Sequence, residues 1–94
     1  MRVVGAGKLA EFSLKHADAA ATLNVWLAEA EAAEWRSPND IRARYRSASF
    51  LAGNRVVFNI RGNNYRLVAK INYELGVALI ELVGTHAEYD RWQL

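Results

Sequence analysis

Apolar residues recur at helical spacing in the N-terminal third of the chain and alternate with polar residues in its second half. Leu9, Phe12 and His16 fall on one face of a first predicted helix. Residues 17–33 are rich in alanine and contain neither Gly nor Pro, so they predict a second helix with Asp18 as its N-cap. One apolar stripe on each helix favours a helical hairpin, in which the histidine has a packing role.

Two short elements complete the first half of the chain. Arg2–Val4 is a candidate first strand, and Ser37 followed by Pro38 predicts a short helix over residues 39–44. After Ser47 the pattern changes to short alternating runs separated by turn residues, which predicts four antiparallel strands in a meander. The turns are expected at Gly53-Asn54, Gly62-Asn63-Asn64 and Glu74-Leu75-Gly76.

Alternation along these strands assigns their residues to two faces of the sheet. The helices are expected to cover the apolar face, which holds Val56, Phe58, Ile60, Leu67, Ala69, Ile71, Ala78, Ile80 and Leu82. The opposite face is expected to hold Arg55, Val57, Asn59, Arg61, Arg66, Val68, Lys70, Asn72, Val77, Leu79, Glu81 and Val83. We interpret this second face as a candidate surface for an RNA or DNA backbone. Glu81 is expected in an ion pair with Arg66 or Lys70; the alternative is that it acts as a general base.

The composition narrows the classes of protein to which this chain can belong. A chain of 94 residues with 52% apolar content predicts one domain over residues 1–94. It has no cysteine and only two histidines, so we expect no disulfide framework, no metal site and no cofactor. We find no targeting or membrane-spanning pattern, and we therefore expect a soluble cytoplasmic protein.

The formal net charge is only +2, but the charges are unevenly distributed. Residues 1–35 and 74–94 are both net acidic, whereas residues 36–73 hold eight Arg and Lys against Asp40 alone. Seven of the eight cations are arginines, whose planar guanidinium matches phosphate oxygens. This segment predicts a phosphate-bearing partner; the alternative is a solvated surface whose arginines pair with the acidic flanks.

The C-terminal residues include side chains that could transfer protons in a reaction. Thr85 and Glu88 have the spacing of a capping box, which predicts a short terminal helix. His86 and Tyr89 would then share one side of this helix, with Asp90 close by. An imidazole and a phenol beside arginines suit RNA cleavage without a metal, in which a base, an acid and cations act on the phosphate. The alternative is that these groups only cap and pack the end of the chain.

Two motifs resemble one known family. Residues 55–68, Arg-Val-Val-Phe-Asn-Ile-Arg-Gly-Asn-Asn-Tyr-Arg-Leu-Val, and residues 84–90, Gly-Thr-His-Ala-Glu-Tyr-Asp, are together similar to the HigB toxins of type II toxin–antitoxin modules. The resemblance implies a RelE-like α+β fold, an antiparallel sheet on N-terminal helices. It also implies a ribosome-dependent mRNA endonuclease, which a HigA-type helix-turn-helix antitoxin neutralises in a toxin–antitoxin hetero-oligomer.

The resemblance also implies roles for individual residues. Arg66 would be the phosphate and transition-state cation, and His86 and Tyr89 would be proton-transfer or base-stacking groups. The candidate RNA-binding residues, on the motif and the basic face, are Arg55, Asn59, Arg61, Asn63 and Lys70.

Two other functions stay open from the sequence. A RelE/ParE-like toxin that does not cut RNA could act on a protein target such as gyrase. A passive nucleic-acid-binding module, or an inactive toxin, could share the same fold.

Overall fold

The structure is a computed structural model that describes all residues from Met1 to Leu94. The chain forms an α+β fold with a five-stranded mixed sheet. The helices are α1 (Gly7–Lys15), α2 (Ala20–Ala32), which a 3-10 turn at Ala17–Ala19 precedes, α3 (Pro38–Arg44) and α4 (His86–Tyr89). The strands are β1 (Arg2–Val4), β2 (Ser49–Leu51), β3 (Arg55–Ile60), β4 (Tyr65–Asn72) and β5 (Val77–Thr85).

The strand order is β1-β5-β4-β3-β2. Strands β2 to β5 form the predicted antiparallel meander. Strand β1 instead pairs in parallel with β5, with Arg2 beside Val77. The expectation of a purely antiparallel sheet is therefore wrong at this edge. β1 pairs with β5, the last strand in the sequence, and the two strands run in the same direction.

One main hydrophobic core lies between the helices and the predicted apolar face of the sheet. Leu23, Trp26 and Ala30 of α2 are fully or almost fully buried in it. The Trp26 ring meets Phe58 of β3 edge-on, with 5.2 Å between ring centroids, and Trp35 stacks on the same Phe58. Eight of the nine residues assigned to this face are buried here, namely Val56, Phe58, Ile60, Leu67, Ala69, Ile71, Ala78 and Ile80.

A β-bulge in β5 explains why Leu82, the ninth of these residues, does not face the main core. Ala69 of β4 pairs with Ile80, whereas the preceding Val68 pairs with Leu82, so Glu81 is the extra residue. An extra residue reverses the alternation of the residues that follow it. Val83 consequently packs against the main core, and Leu82 takes its place beside Val68 on the other face. The expected sides of Leu82 and Val83 were therefore wrong.

The expected ion pair of Glu81 is also absent. The acidic side chains of the ion pairs are Glu29, which pairs with Arg44, and Asp18, which pairs with Arg61. The only other contact between a basic and an acidic side chain is that of His86 Nδ1 with Asp90. Glu81 sits at the bulge, where its main-chain oxygen accepts a hydrogen bond from Lys8 Nζ at 3.0 Å.

The face of the sheet opposite the helices is partly covered. Val57 and Val68 point away from the helices, yet both are buried. Residues 89–94, hereafter the C-terminal segment, fold back over this face: Tyr89 lies on Arg66, and the Trp92 indole lies against Gly84. The basic face is therefore only partly exposed to solvent. None of the helices is long and apolar enough to cross a membrane.

Candidate functional site

The β3–β4 turn, residues 61–64, shapes one side of the site. Arg61 and Gly62 both have left-handed backbones, with φ of +52° and +67°, and the Asn64 N–H donates to the Arg61 carbonyl at 3.3 Å. This tight reversal brings Asn63 beside Arg66. Asn63 Oδ1 accepts from Arg66 Nη2 at 2.5 Å, and the Asn63 carbonyl accepts from Nη1 at 3.0 Å.

Arg66 is the only buried charged residue, with 7% of its surface exposed. Its Nη1 also donates to the Tyr65 carbonyl at 3.2 Å, but no carboxylate forms an ion pair with it. Three of the five guanidinium N–H groups are thus engaged by neutral oxygens. A buried guanidinium without a counter-anion pays a desolvation cost, so this position favours an anion.

Helix α4 forms the other side of the site, and a capping box holds its start. Thr85 Oγ1 accepts from the Glu88 N–H at 3.1 Å, and Glu88 Oε1 accepts from the Thr85 N–H at 2.8 Å. The second hydrogen bond lowers the pKa of Glu88 below its usual value. The His86 N–H donates to the Asn64 carbonyl at 3.0 Å. The helix is therefore attached directly to the β3–β4 turn.

Tyr89 lies one turn along this helix and covers Arg66. The guanidinium carbon is 5.3 Å from the centre of the Tyr89 ring, within the range of a cation–π contact. Trp92 meets Tyr89 edge-on with 6.0 Å between centroids. The site therefore combines a cation, a phenol and a second aromatic ring on one side of the sheet.

His86 is about half exposed, with 47% of its side chain accessible. Its Nδ1 is 3.3 Å from Asp90 Oδ2, and Asp90 is itself well exposed. An accessible imidazole can donate a proton to a bound ligand or accept one from it. No group of three or more His, Asp or Glu side chains is arranged to hold a metal ion.

The remaining candidates are spread along the same face, except for one. Asn59 is the cross-strand partner of Arg66, and its Nδ2 donates to the Ser47 carbonyl at 3.1 Å. Arg55 and Lys70 face each other four residues further along β3, about 13 Å away at the usual rise per residue. Arg55 Nη2 is 3.4 Å from the main-chain oxygen of Leu94.

Arg61 does not lie on the basic face, and that expectation was wrong. The left-handed backbone after Ile60 interrupts the alternation and directs the Arg61 side chain toward Asp18, with which it forms an ion pair. The other Asp18 oxygen accepts a hydrogen bond from Tyr65 Oη at 2.6 Å. This hydrogen bond lowers the pKa of Asp18 and raises that of Tyr65.

Gly84 shapes the site in a way that its place in the sequence motif did not indicate. A Cβ atom on Gly84 would lie 2.6 Å from Trp92 Cζ2, so only glycine lets the indole lie on β5. A glycine inside a strand, just before a capping box, was the signal available in the sequence. The contact holds the C-terminal segment against the sheet.

Comparison with known proteins gives one family. A family model described as the HigB toxin, RelE-like toxic component of a toxin–antitoxin system, matches residues 19–92. No curated protein matches the chain at a significant level. The matched range contains Asn63, Arg66, His86 and Tyr89.

Proposed function

The chain belongs to the HigB family of RelE-like toxins, as the resemblance of its motifs predicted, and on this basis we propose that it is a ribosome-dependent mRNA endonuclease. The proposed reaction inhibits translation and needs no metal ion. As a toxin of a toxin–antitoxin system it has an antitoxin partner.

The buried charge of Arg66 is the observation that supports this proposal most strongly. Its guanidinium has hydrogen-bond partners but no counter-anion, and a phosphate of the mRNA would supply the missing negative charge. The same guanidinium would stabilise the extra charge of a phosphorane transition state. Asn63 would keep it oriented during the reaction.

The proposed chemistry is an attack of the ribose 2′-oxygen on the adjacent phosphorus. A base accepts the 2′-OH proton, the new O–P bond forms, the bond from phosphorus to the 5′-oxygen breaks, and an acid protonates that oxygen. The products are a 2′,3′-cyclic phosphate and a 5′-hydroxyl. His86 and Tyr89 are the proposed proton-transfer groups, and Tyr89 can alternatively stack on a base.

Asn59 lies across from Arg66, and Lys70 lies four residues further along β4 on the same face. We propose that Asn59 contacts the RNA near the cleaved phosphate and that Lys70 contacts its backbone further along. Arg55 extends this surface, and its contact with Leu94 must yield for RNA to reach its guanidinium. Arg61 is not proposed as an RNA contact, because its side chain is paired with Asp18.

The proposal is tested by cleavage of mRNA on translating ribosomes. We expect Arg66→Ala to lower kcat by about 10²- to 10³-fold, and His86→Ala or Tyr89→Phe by about 10²- to 10⁴-fold. Arg44→Ala is the matched control, because it removes an exposed arginine whose partner is Glu29. If Arg66→Ala, His86→Ala and Tyr89→Ala all cut mRNA at the normal rate, the site is wrongly assigned.

Mapping of mRNA ends after induction separates the proposal from the other function classes. Growth arrest with new 5′-hydroxyl ends supports the endonuclease. Growth arrest with intact mRNA instead indicates a toxin that acts on a protein such as gyrase. Salt-sensitive RNA binding without growth arrest indicates a passive binding module.

We also propose that the antitoxin is of the HigA type, with a helix-turn-helix, and that the two form a hetero-oligomer in the cytoplasm, where the ribosomes are. The excess of positive charge over residues 36–73 supports a partner that carries negative charge. We expect the association rate to fall as the salt concentration rises; a rate that does not depend on salt contradicts this charge-based attraction.

A further inference from the structure

Both sides of the proposed site depend on the β3–β4 turn. Asn63 in this turn receives two hydrogen bonds from Arg66, and the Asn64 carbonyl accepts the hydrogen bond from the His86 N–H. A change in the position of the turn would therefore move the cation and the start of α4 together.

A single carboxylate on the helix side of the sheet joins the two ends of this turn. Asp18 lies in the 3-10 turn before α2, far from the site in sequence. One of its oxygens pairs with Arg61, which begins the turn, and the other accepts from the hydroxyl of Tyr65, which follows the turn. Hydrogen bonds to a carboxylate are shorter and stronger than those between neutral groups.

The backbone of Arg61 needs such a contact. A residue with a side chain is disfavoured at a φ of +52°, and it keeps this conformation only where surrounding contacts hold it. The next residue, Gly62, adopts its φ of +67° without this cost. The ion pair with Asp18 is the contact made by the Arg61 side chain.

We propose that Asp18 is a positioning residue for the site: it holds the β3–β4 turn through Arg61 and Tyr65, and thereby keeps Asn63 on Arg66 and Asn64 on α4. This inference deepens the proposed function and rests on it for its effect on cleavage. The placement of Arg66 itself can be measured without any RNA. Asp18 touches no substrate in this scheme and acts only through the turn.

The chain contains a matched control for this carboxylate. Glu29 also bridges an arginine and a tyrosine, since it pairs with Arg44 and accepts a hydrogen bond from Tyr45 Oη at 3.1 Å. Both arginines are at least half exposed, with 60% accessible surface for Arg44 and 50% for Arg61. Glu29→Ala therefore removes a similar pair of contacts away from the β3–β4 turn.

The direct test is the NMR signal of the Arg66 guanidinium in the purified toxin. In the wild type we expect slowly exchanging side-chain N–H protons on Arg66, because Asn63 and Tyr65 accept them. Asp18→Ala should shift these signals and speed their exchange, whereas Glu29→Ala should leave them unchanged. Unchanged Arg66 signals in folded Asp18→Ala protein overturn the proposal, and so does an equal effect of Glu29→Ala.

Cleavage on ribosomes gives the second readout. For Asp18→Ala we expect kcat to fall about tenfold or more while KM for the ribosome changes little, because a misplaced cation weakens transition-state binding. Arg61→Ala should have the same effect, the two substitutions should not be additive, and Arg61→Lys should restore most of the rate. An effect of Asp18→Ala that appears only as a higher KM, with kcat unchanged, contradicts the proposal.

Two further results separate this inference from the proposed function. If wild-type toxin cuts no mRNA but Asp18→Ala still changes the Arg66 signals, the proposed function fails and the positioning role stands. If Asp18→Ala does not fold, Tyr65→Phe is the variant to use, because it removes only the hydroxyl group that donates a hydrogen bond to Asp18. The Arg66 signals should then move in the same direction by a smaller amount, and unchanged signals overturn the proposal.

Discussion

Replacement of Gly84 by alanine tests how the C-terminal segment is held on the sheet. The new Cβ would lie 2.6 and 2.9 Å from two carbons of the Trp92 indole and 3.2 Å from Glu88 Oε1. The carboxylate ends a flexible side chain and can shift, although a shift weakens the hydrogen bond that it accepts from the Thr85 N–H. The indole must either shift within its packing or leave the face.

The geometry sets the size of the effect. Overpacking of this kind costs about 1–3 kcal/mol. The upper limit is about 4 kcal/mol, because displacement of Trp92 exposes roughly 150 Å² of apolar surface at about 25 cal/mol per Å². For a domain of this size a loss of about 2 kcal/mol lowers Tm by about 8–16 °C.

The assay is thermal and urea unfolding, with Trp92→Ala as the second arm of a double-mutant cycle. With the indole removed, Gly84→Ala should cost less than about 0.5 kcal/mol, because its main obstacle is gone. Gly7→Ala is the control, since no atom lies within 4 Å of a Cβ there, and it should be neutral or stabilising by up to about 1 kcal/mol. An equal cost of Gly84→Ala with and without Trp92 refutes the reasoning.

Three further predictions concern caps, charge and the core. Thr85→Ala should destabilise the protein by about 1 kcal/mol in urea unfolding through loss of the capping box, whereas Ala87→Ser should change stability little. The pKa of Asp18 is lower in the folded protein than in the unfolded chain, so its stabilising contribution is present above the unfolded value and is lost as the pH falls below about 4. Asp18→Asn should therefore weaken the acid dependence of the urea midpoint, and an unchanged dependence contradicts this assignment. Trp26 Nε1 is buried without a hydrogen-bond partner, so Trp26→Phe should cost less than about 2 kcal/mol, against about 3–5 for Trp26→Ala.

The core of the fold could be predicted from periodicity because most strands alternate without interruption. Val56, Phe58 and Ile60 all face the helices as alternation requires. The bulge at Glu81 could not be predicted in this way, because Leu82 and Val83 are both apolar and either can face a core. Arg61 was misplaced for a related reason: alternation ends at Ile60, and the turn decides where the next side chain points.

Only the residues of the site that lie in the two short motifs could be predicted from the sequence. Asn63 and Arg66 lie in one motif, and His86 and Tyr89 lie in the other; a main-chain hydrogen bond from His86 to Asn64 joins the two. The burial of Arg66 could not be predicted from its own strand, because Tyr89 of the C-terminal segment covers it. Asp18 is more than 40 residues from both Arg61 and Tyr65 in the sequence, and no local spacing predicts such contacts.

The parallel pairing of β1 with β5 has a consequence for the order of folding. Strands β2 to β5 join their neighbours through short turns, so each hairpin can form from nearby residues. Arg2 and Val77 are separated by most of the chain, and such a contact forms slowly because a long loop must lose its freedom first. We therefore expect the meander to assemble first and β1 to dock last. During synthesis β1 has no strand to pair with until β5 has been made, so the sheet is completed only then, just before the residues of α4 follow.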